Sequence, residues 1–132
     1  MVCLKKGCTS MLNLNSCMIG TKQPEALAAF YEKVLGKPAD MSDRKYGYWM
    51  WQLGSVYFSV LDHSEMAGKA KDPGRMMFNF ETGQVKEEFE RIKALGAVVI
   101  REPYDIEGGM IATFADPDGN YFQIMSRLDM QR

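Results

Sequence analysis

One histidine and three cysteines supply all the imidazole and thiol in this 132-residue chain. The cysteines, Cys3, Cys8 and Cys17, crowd into its first stretch. An odd number so closely spaced is no disulfide framework, and Cys3 and Cys8 have no His or Cys partner at zinc spacing. Free thiols in a reducing cytoplasm are the expectation. No apolar run approaches the roughly 20 residues that span a bilayer, so no membrane segment is expected. "MVCLKKGCTSML" has two lysines but no apolar stretch after them, so no secretory signal is expected either. Neither sign of charge is in excess: 16 basic residues against 17 acidic ones give a net charge of -1. With no basic patch interleaved with aromatics, nucleic acid is not an expected partner. No glycine-rich phosphate loop is present, and no nucleophile lies beside a base.

What is there fits one soluble domain, with 46% hydrophobic and 25% charged residues. Eleven methionines are the compositional oddity. Most are expected to fill the core, and some to line an adaptable binding surface. Patterned sequence begins after an N-terminal extension, residues 1–11. "LNLNSCMIG" reads as a strand. "TKQPEALAAFYEKVLGK" reads as an amphipathic helix, with Thr21 as cap, Pro24 in the first turn and Gly36 at the C-terminus. After a short extended piece, "YGYWMWQLGSVYFSVLD" reads as two aromatic strands. A polar linker, 63–74, follows. Then the pattern repeats: "RMMFNFET" as strand, "GQVKEEFERIKALG" as helix, "AVVIREP" as strand, "YDIEGG" as loop, and "MIATFADPDGNYFQIMS" as a hairpin. "FYEKVLG" is echoed by "FERIKALG", and "VYFSV" by "NYFQI". The chain therefore predicts a duplicated unit of strand, helix and three strands. One domain spans 12–126, with modules at 12–62 and 75–126 and a tail at 127–132. Two such curved sheets can enclose a cleft, helices outside, where a small ligand binds.

This arrangement, with "LAAFYEKVLG" and "FADPDGNYFQIM", resembles the vicinal oxygen chelate superfamily, the group of glyoxalases, bleomycin-resistance proteins and extradiol dioxygenases. The resemblance implies an α+β fold of paired βαβββ modules, often dimeric. It leaves function open, since isomerases, dioxygenases and antibiotic-sequestering proteins share the fold. In metal-dependent members the ligands come from the first and last strands of each module, typically His, His or Gln, and Glu. Carried onto this chain, those positions are Ser16, Ser59, Arg75 and Gln123. None is an acid, a His or a Cys, and two hydroxyls with a carboxamide are poor substitutes for anionic or imidazole donors. A slip of register would offer Asn15 or Cys17, which an alternating strand sends to the opposite face. No metal and no cofactor is expected.

The expectation is a small-molecule-binding homodimer of this family that lacks the usual metal ligands. The alternative is a metal-dependent lyase, isomerase or dioxygenase of the lactoylglutathione-lyase kind. Arg75 is a candidate for holding an oxyanion, or an exposed strand-end arginine. Gln123 is a candidate donor and acceptor, or a buried glutamine bonded to a neighbouring strand. Trp49, Trp51, Tyr46, Tyr48 and Tyr57 share a hairpin, so either the odd or the even set faces the cleft. Tyr121 alternates with Gln123 and joins the candidate lining, whereas Met18, Met50 and Met125 either add adaptable lining or pack in the core. His63 reads as a solvated loop histidine, and Cys17 as a buried inert thiol. Asp105 and Glu107 are the acids nominated for proton chemistry, on a loop expected to close over the cleft.

Overall fold

A computed structural model describes residues 12–127. The N-terminal extension and the tail after Arg127 lie outside the described residues. Module one runs β1 (Ser16–Thr21), α1 (Pro24–Leu35), β2 (Met41–Asp43), β3 (Tyr48–Leu53) and β4 (Val56–Asp62). Module two runs β5 (Phe78–Glu81), α2 (Val85–Ala94), β6 (Val98–Ile106), β7 (Gly109–Ala115) and β8 (Tyr121–Met125). Each module folds one sheet, ordered β1-β4-β3-β2 and β5-β8-β7-β6. In both, the first strand is parallel to the last and the other pairs are antiparallel. The fold is α+β, built of the paired βαβββ modules that the repeat predicts.

The duplication reaches the helix starts. Thr21 Oγ1 accepts from the Gln23 N–H at 3.0 Å, and Thr82 Oγ1 accepts from the Gln84 N–H at 3.1 Å. Each threonine turns its strand into the helix from two residues before the N-cap, rather than capping it. Pro24 opens α1, where its missing N–H costs nothing. Gly36 closes it in the left-handed region at φ 74, its N–H donating to Glu32 O at 2.9 Å.

The helices bury Leu27, Ala28, Tyr31 and Val34 from α1, and Val85, Phe89 and Ile92 from α2. These cover one face of each sheet, carrying Ile19, Trp51, Phe58 and Val60 in the first and Ala112, Phe114, Phe122 and Ile124 in the second. The core is continuous between modules. Phe58 of β4 meets Phe78 and Phe80 of β5 edge-on, with ring centroids 5.6 and 5.7 Å apart. Tyr31 of α1 meets both Phe58, at 4.8 Å, and Phe122 of β8, at 5.8 Å. Such edge-to-face pairs add about 0.5–1.5 kcal/mol each beyond the area they bury.

Two boundaries differ from the sequence reading. β5 begins at Phe78, leaving Arg75 in the preceding turn. β6 runs on through "YDI", expected as loop, so only Glu107 and Gly108 separate it from β7. Pro103 does not stop β6 because the strand pairs only with β7 and its outer edge needs no donor. The register of β6 on β7 is irregular on both sides of Arg101, between Val99 and Arg101 and between Arg101 and Tyr104. The linker is pinned to the turn before β8: the Ala70 N–H donates to Asp118 O at 2.9 Å, and Lys69 Nζ to Pro117 O at 2.6 Å.

Candidate functional site

Each sheet presents a second face, opposite its helix. In the first sheet the register aligns Met18, Ser59, Met50 and Met41 across β1, β4, β3 and β2. In the second it aligns Asn79, Gln123, Thr113 and Arg101 across β5, β8, β7 and β6. The two rows are equivalent by topology and unlike in chemistry. The first is a run of thioethers around one hydroxyl. Met18 and Met41 are 59% and 56% exposed, whereas Ser59 is buried between them and Met50. Its Oγ lies 3.4 Å from the Tyr48 hydroxyl. The second row is polar. Gln123 Nε2 donates to Thr113 Oγ1 at 2.9 Å, leaving the carboxamide oxygen free to accept.

Of the four positions expected to point inward, Ser16, Ser59 and Gln123 lie on these faces. Arg75 does not. It sits outside β5, exposed, with Asp72 Oδ2 at 3.7 Å from its guanidinium. Register explains the misplacement. Ser16 is opposite Tyr57, two residues before the Met18–Ser59 pair. Two residues before the Asn79–Gln123 pair is Met77, so Met77 is the counterpart of Ser16.

The aromatic hairpin is divided. Trp51 is 0% exposed, packs on Phe58 at 6.1 Å, and donates its Nε1–H to Lys37 O at 3.0 Å. Trp49 shares its face and is half-buried against the core. The tryptophans expected as ligand lining therefore back the sheet, because burying their large apolar area against α1 and Phe58 outweighs leaving it in water. Tyr48 and Tyr57 occupy the open face. Tyr121 and Met125 alternate with the core residues Phe122 and Ile124 and share the open face with Gln123. Asp105 lies within β6 and is exposed, and Glu107 stands in the two-residue turn after it.

His63 serves the turn after β4. Its N–H donates to Thr21 O at 2.9 Å, its Nδ1 accepts from the Glu65 N–H at 3.2 Å, and its ring lies against Gly20. Cys17 is half-buried, and burial pushes its thiol pKa up, away from the reactive thiolate.

Among the described residues the buried carboxylate is Asp116, and it is fully engaged. Tyr31 Oη donates to Oδ2 at 2.7 Å, the N–H groups of Asp118 and Asn120 donate to Oδ1 at 2.9 Å each, and Asn120 Nδ2 reaches Oδ2 at 3.0 Å. Burial raises its pKa, against the lowering pull of those donors. The Tyr31 pKa is pushed well above its ordinary value, by burial first and by Asp116 second. "DPDGN" is thus a turn tied by its first aspartate to the helix of the other module. Beside it a cavity of about 450 Å³ opens between the start of α1, the linker and this turn, lined by Lys22, Gln23, Lys69, Asp118 and Asn120 among others.

A family model described as a glyoxalase-like domain matches residues 16–125. The chain belongs to the glyoxalase-like family. Solved structures agree on its fold. A glyoxalase-related enzyme from Fulvimarina pelagi is 20% identical, with a TM-score of 0.72 over 89% of this chain and 89% of the other. A lactoylglutathione lyase from Agrobacterium tumefaciens is 20% identical, with a TM-score of 0.67 over 86% and 92%. A fosfomycin resistance protein from Mesorhizobium loti is 15% identical, with a TM-score of 0.68 over 91% and 95%. No curated protein sequence matches. At these identities the likeness is one of fold.

The glyoxalase-like frame sharpens the question of a metal. Among the described residues no three His, Cys, Asp or Glu side chains stand together so as to hold an ion. The open-face rows offer thioethers, hydroxyls and carboxamides, a donor set unsuited to a hard divalent cation. Thr113 was missed from the sequence, although it faces Gln123 across the "DPDGN" turn and counting back through that turn would find it. Arg101 and Tyr104 could not be found that way, because the irregular register of β6 breaks the alternation. Among the described residues no helix is long and apolar enough to cross a membrane.

Proposed function

We propose that this glyoxalase-like protein binds a small planar or apolar molecule on the open faces of its sheets, without the metal triad of its metal-dependent relatives. One observation carries the reading. The central donors of both faces are neutral, Ser59 beside the Tyr48 hydroxyl and Gln123 beside the Thr113 hydroxyl. Neutral donors and acceptors orient a ligand, whereas an ion must recover its hydration from charged or imidazole groups. Tyr57, Tyr121, Met18 and Met50 supply flat and adaptable apolar surface around them, with Ser16 at the rim. Trp49 and Trp51 support that surface from behind.

The same reading takes the working form as a cytoplasmic homodimer. Exposed Met41, on an edge strand of the first sheet and not part of that ligand surface, is apolar area that a second copy would cover. Light scattering tests the dimer.

The test of function has two steps. Elemental analysis after gentle purification, and again after incubation with zinc, nickel, manganese and iron, is expected to find no stoichiometric ion. A thermal-shift screen of planar small molecules should then find ligands that raise Tm. A stoichiometric ion would overturn the proposal in favour of a metal-dependent lyase or isomerase, and isomerisation of glyoxal adducts would be the next assay.

A further inference from the structure

Five arginines fall among the described residues, and four have a carboxylate within ion-pair distance: Arg44 with Glu25, Arg75 with Asp72, Arg91 with Glu88, and Arg127 with Glu81. Arg101 has none. Its guanidinium carbon instead lies 3.6 Å from the centroid of the Tyr104 ring.

The backbone has been bent to produce this pair. In a regular strand Arg101 and Tyr104, three residues apart, point to opposite faces. Here the register runs Val99 to Phe114, then Arg101 to Thr113, then Tyr104 to Ile111. Each irregularity places one extra residue on β6, and bulges of this kind re-aim side chains. As a result Arg101 and Tyr104 stand opposite Thr113 and Ile111, on the open face, in the row that continues to Gln123. The ring holds the guanidinium by its flat face, which leaves the N–H edge free.

We infer that Arg101 is the anion-recognising residue of this face and that the ligand carries a carboxylate on a planar, conjugated body. The inference rests on the small-molecule reading above and adds the ligand's charge and shape. A single guanidinium matches a single negative charge, and its fork donates two parallel hydrogen bonds to a planar carboxylate. No lysine shares the rows of Arg101 or Tyr104 to balance a second charge. The carboxylate on the Tyr104 row is Glu81, three strands away, or about 14 Å by strand spacing, and Arg127 already pairs with it. Thr113 and the free oxygen of Gln123 are then one and two strands from the bound carboxylate, where they meet polar groups on the ligand's body. Tyr104, Ile111 and Met125 give that body an apolar floor.

The test titrates isotope-labelled full-length protein with matched pairs, benzoate against benzamide and 2-naphthoate against 2-naphthamide, with inorganic phosphate as a third probe. Amide and arginine side-chain resonances report site and affinity. The acids are expected to bind about tenfold more tightly than the amides, as one charge-assisted contact implies. They should shift the Arg101, Thr113 and Gln123 signals. That preference should vanish in Arg101→Gln and persist in Arg44→Gln, whose side chain is exposed and paired elsewhere. Equal binding of acids and amides at these residues would overturn the role of Arg101 while leaving the small-molecule reading standing. Binding of neither would overturn both. Phosphate binding as tightly as 2-naphthoate would overturn the ligand class, leaving a simple anion patch.

Discussion

Removing the Tyr31 hydroxyl isolates one bond between the modules. In Tyr31→Phe the ring stays, and with it the contacts to Phe58 and Phe122. What goes is the 2.7 Å hydrogen bond to Asp116, made where Tyr31 is 0% and Asp116 3% exposed. A buried hydrogen bond to a charged group contributes about 1.5–3 kcal/mol, and the carboxylate left behind keeps only its local donors. With a urea slope of about 2 kcal/mol per molar, the midpoint of unfolding should fall by roughly 1 M. The pH dependence follows from the raised Asp116 pKa. A carboxyl whose folded pKa lies above its unfolded value contributes stability that is present below the unfolded value, about 3.9, and is lost as pH rises through the folded one. Above its folded pKa the fold therefore holds an ionised Asp116 at a cost that Tyr31 reduces. The penalty of Tyr31→Phe should grow between about pH 4 and pH 7, as the carboxyl ionises. A cycle with Asp116→Asn should show coupling of about 1 kcal/mol. Urea melts of the four proteins at both pH values measure all of this. A midpoint unmoved at pH 7, or a penalty equal at both pH values, would refute the idea that the hydroxyl serves the charged carboxylate.

Three further perturbations follow from named contacts. Trp51→Ala should cost about 3–5 kcal/mol by leaving a cavity and an unmet Lys37 carbonyl, read from the same urea melts, and a loss under 1 kcal/mol would contradict its place in the core. Gly36→Ala should lower stability by about 1 kcal/mol because φ 74 strains any side chain there, although nothing lies nearby to clash with it. Cys17 in the folded protein should react with iodoacetamide more slowly than in urea, as peptide mass spectrometry would show, because burial holds its thiol protonated.

The repeat made most of the fold legible. Helix periodicity, Gly36 and the echo of "VYFSV" in "NYFQI" are local signals, and the duplicated architecture follows from them. The faces on which the candidate residues lie were legible only where alternation is unbroken. Ser16, Ser59 and Gln123 obey it and lie on the open faces. Arg75 was misplaced because the repeat spacing at the helices is not the spacing at the first strands, where pairing with the last strand sets the register. The tryptophans were ambiguous because alternation divides a hairpin into two faces without saying which one a helix will cover. Arg101 was invisible because a bulge is a property of a strand pair and leaves no period in a single segment.

The continuous core has a consequence for the chain as a physical object. Phe58 belongs to the first module, and the rings it meets, Phe78 and Phe80, to the second. Cutting the backbone anywhere in 63–74 would leave two pieces, each baring apolar rings that pack against the other. Neither half should stay folded and soluble alone. Co-expressed, they should reassemble without a covalent tether, which makes the connecting segment a natural place to divide this protein into a split reporter.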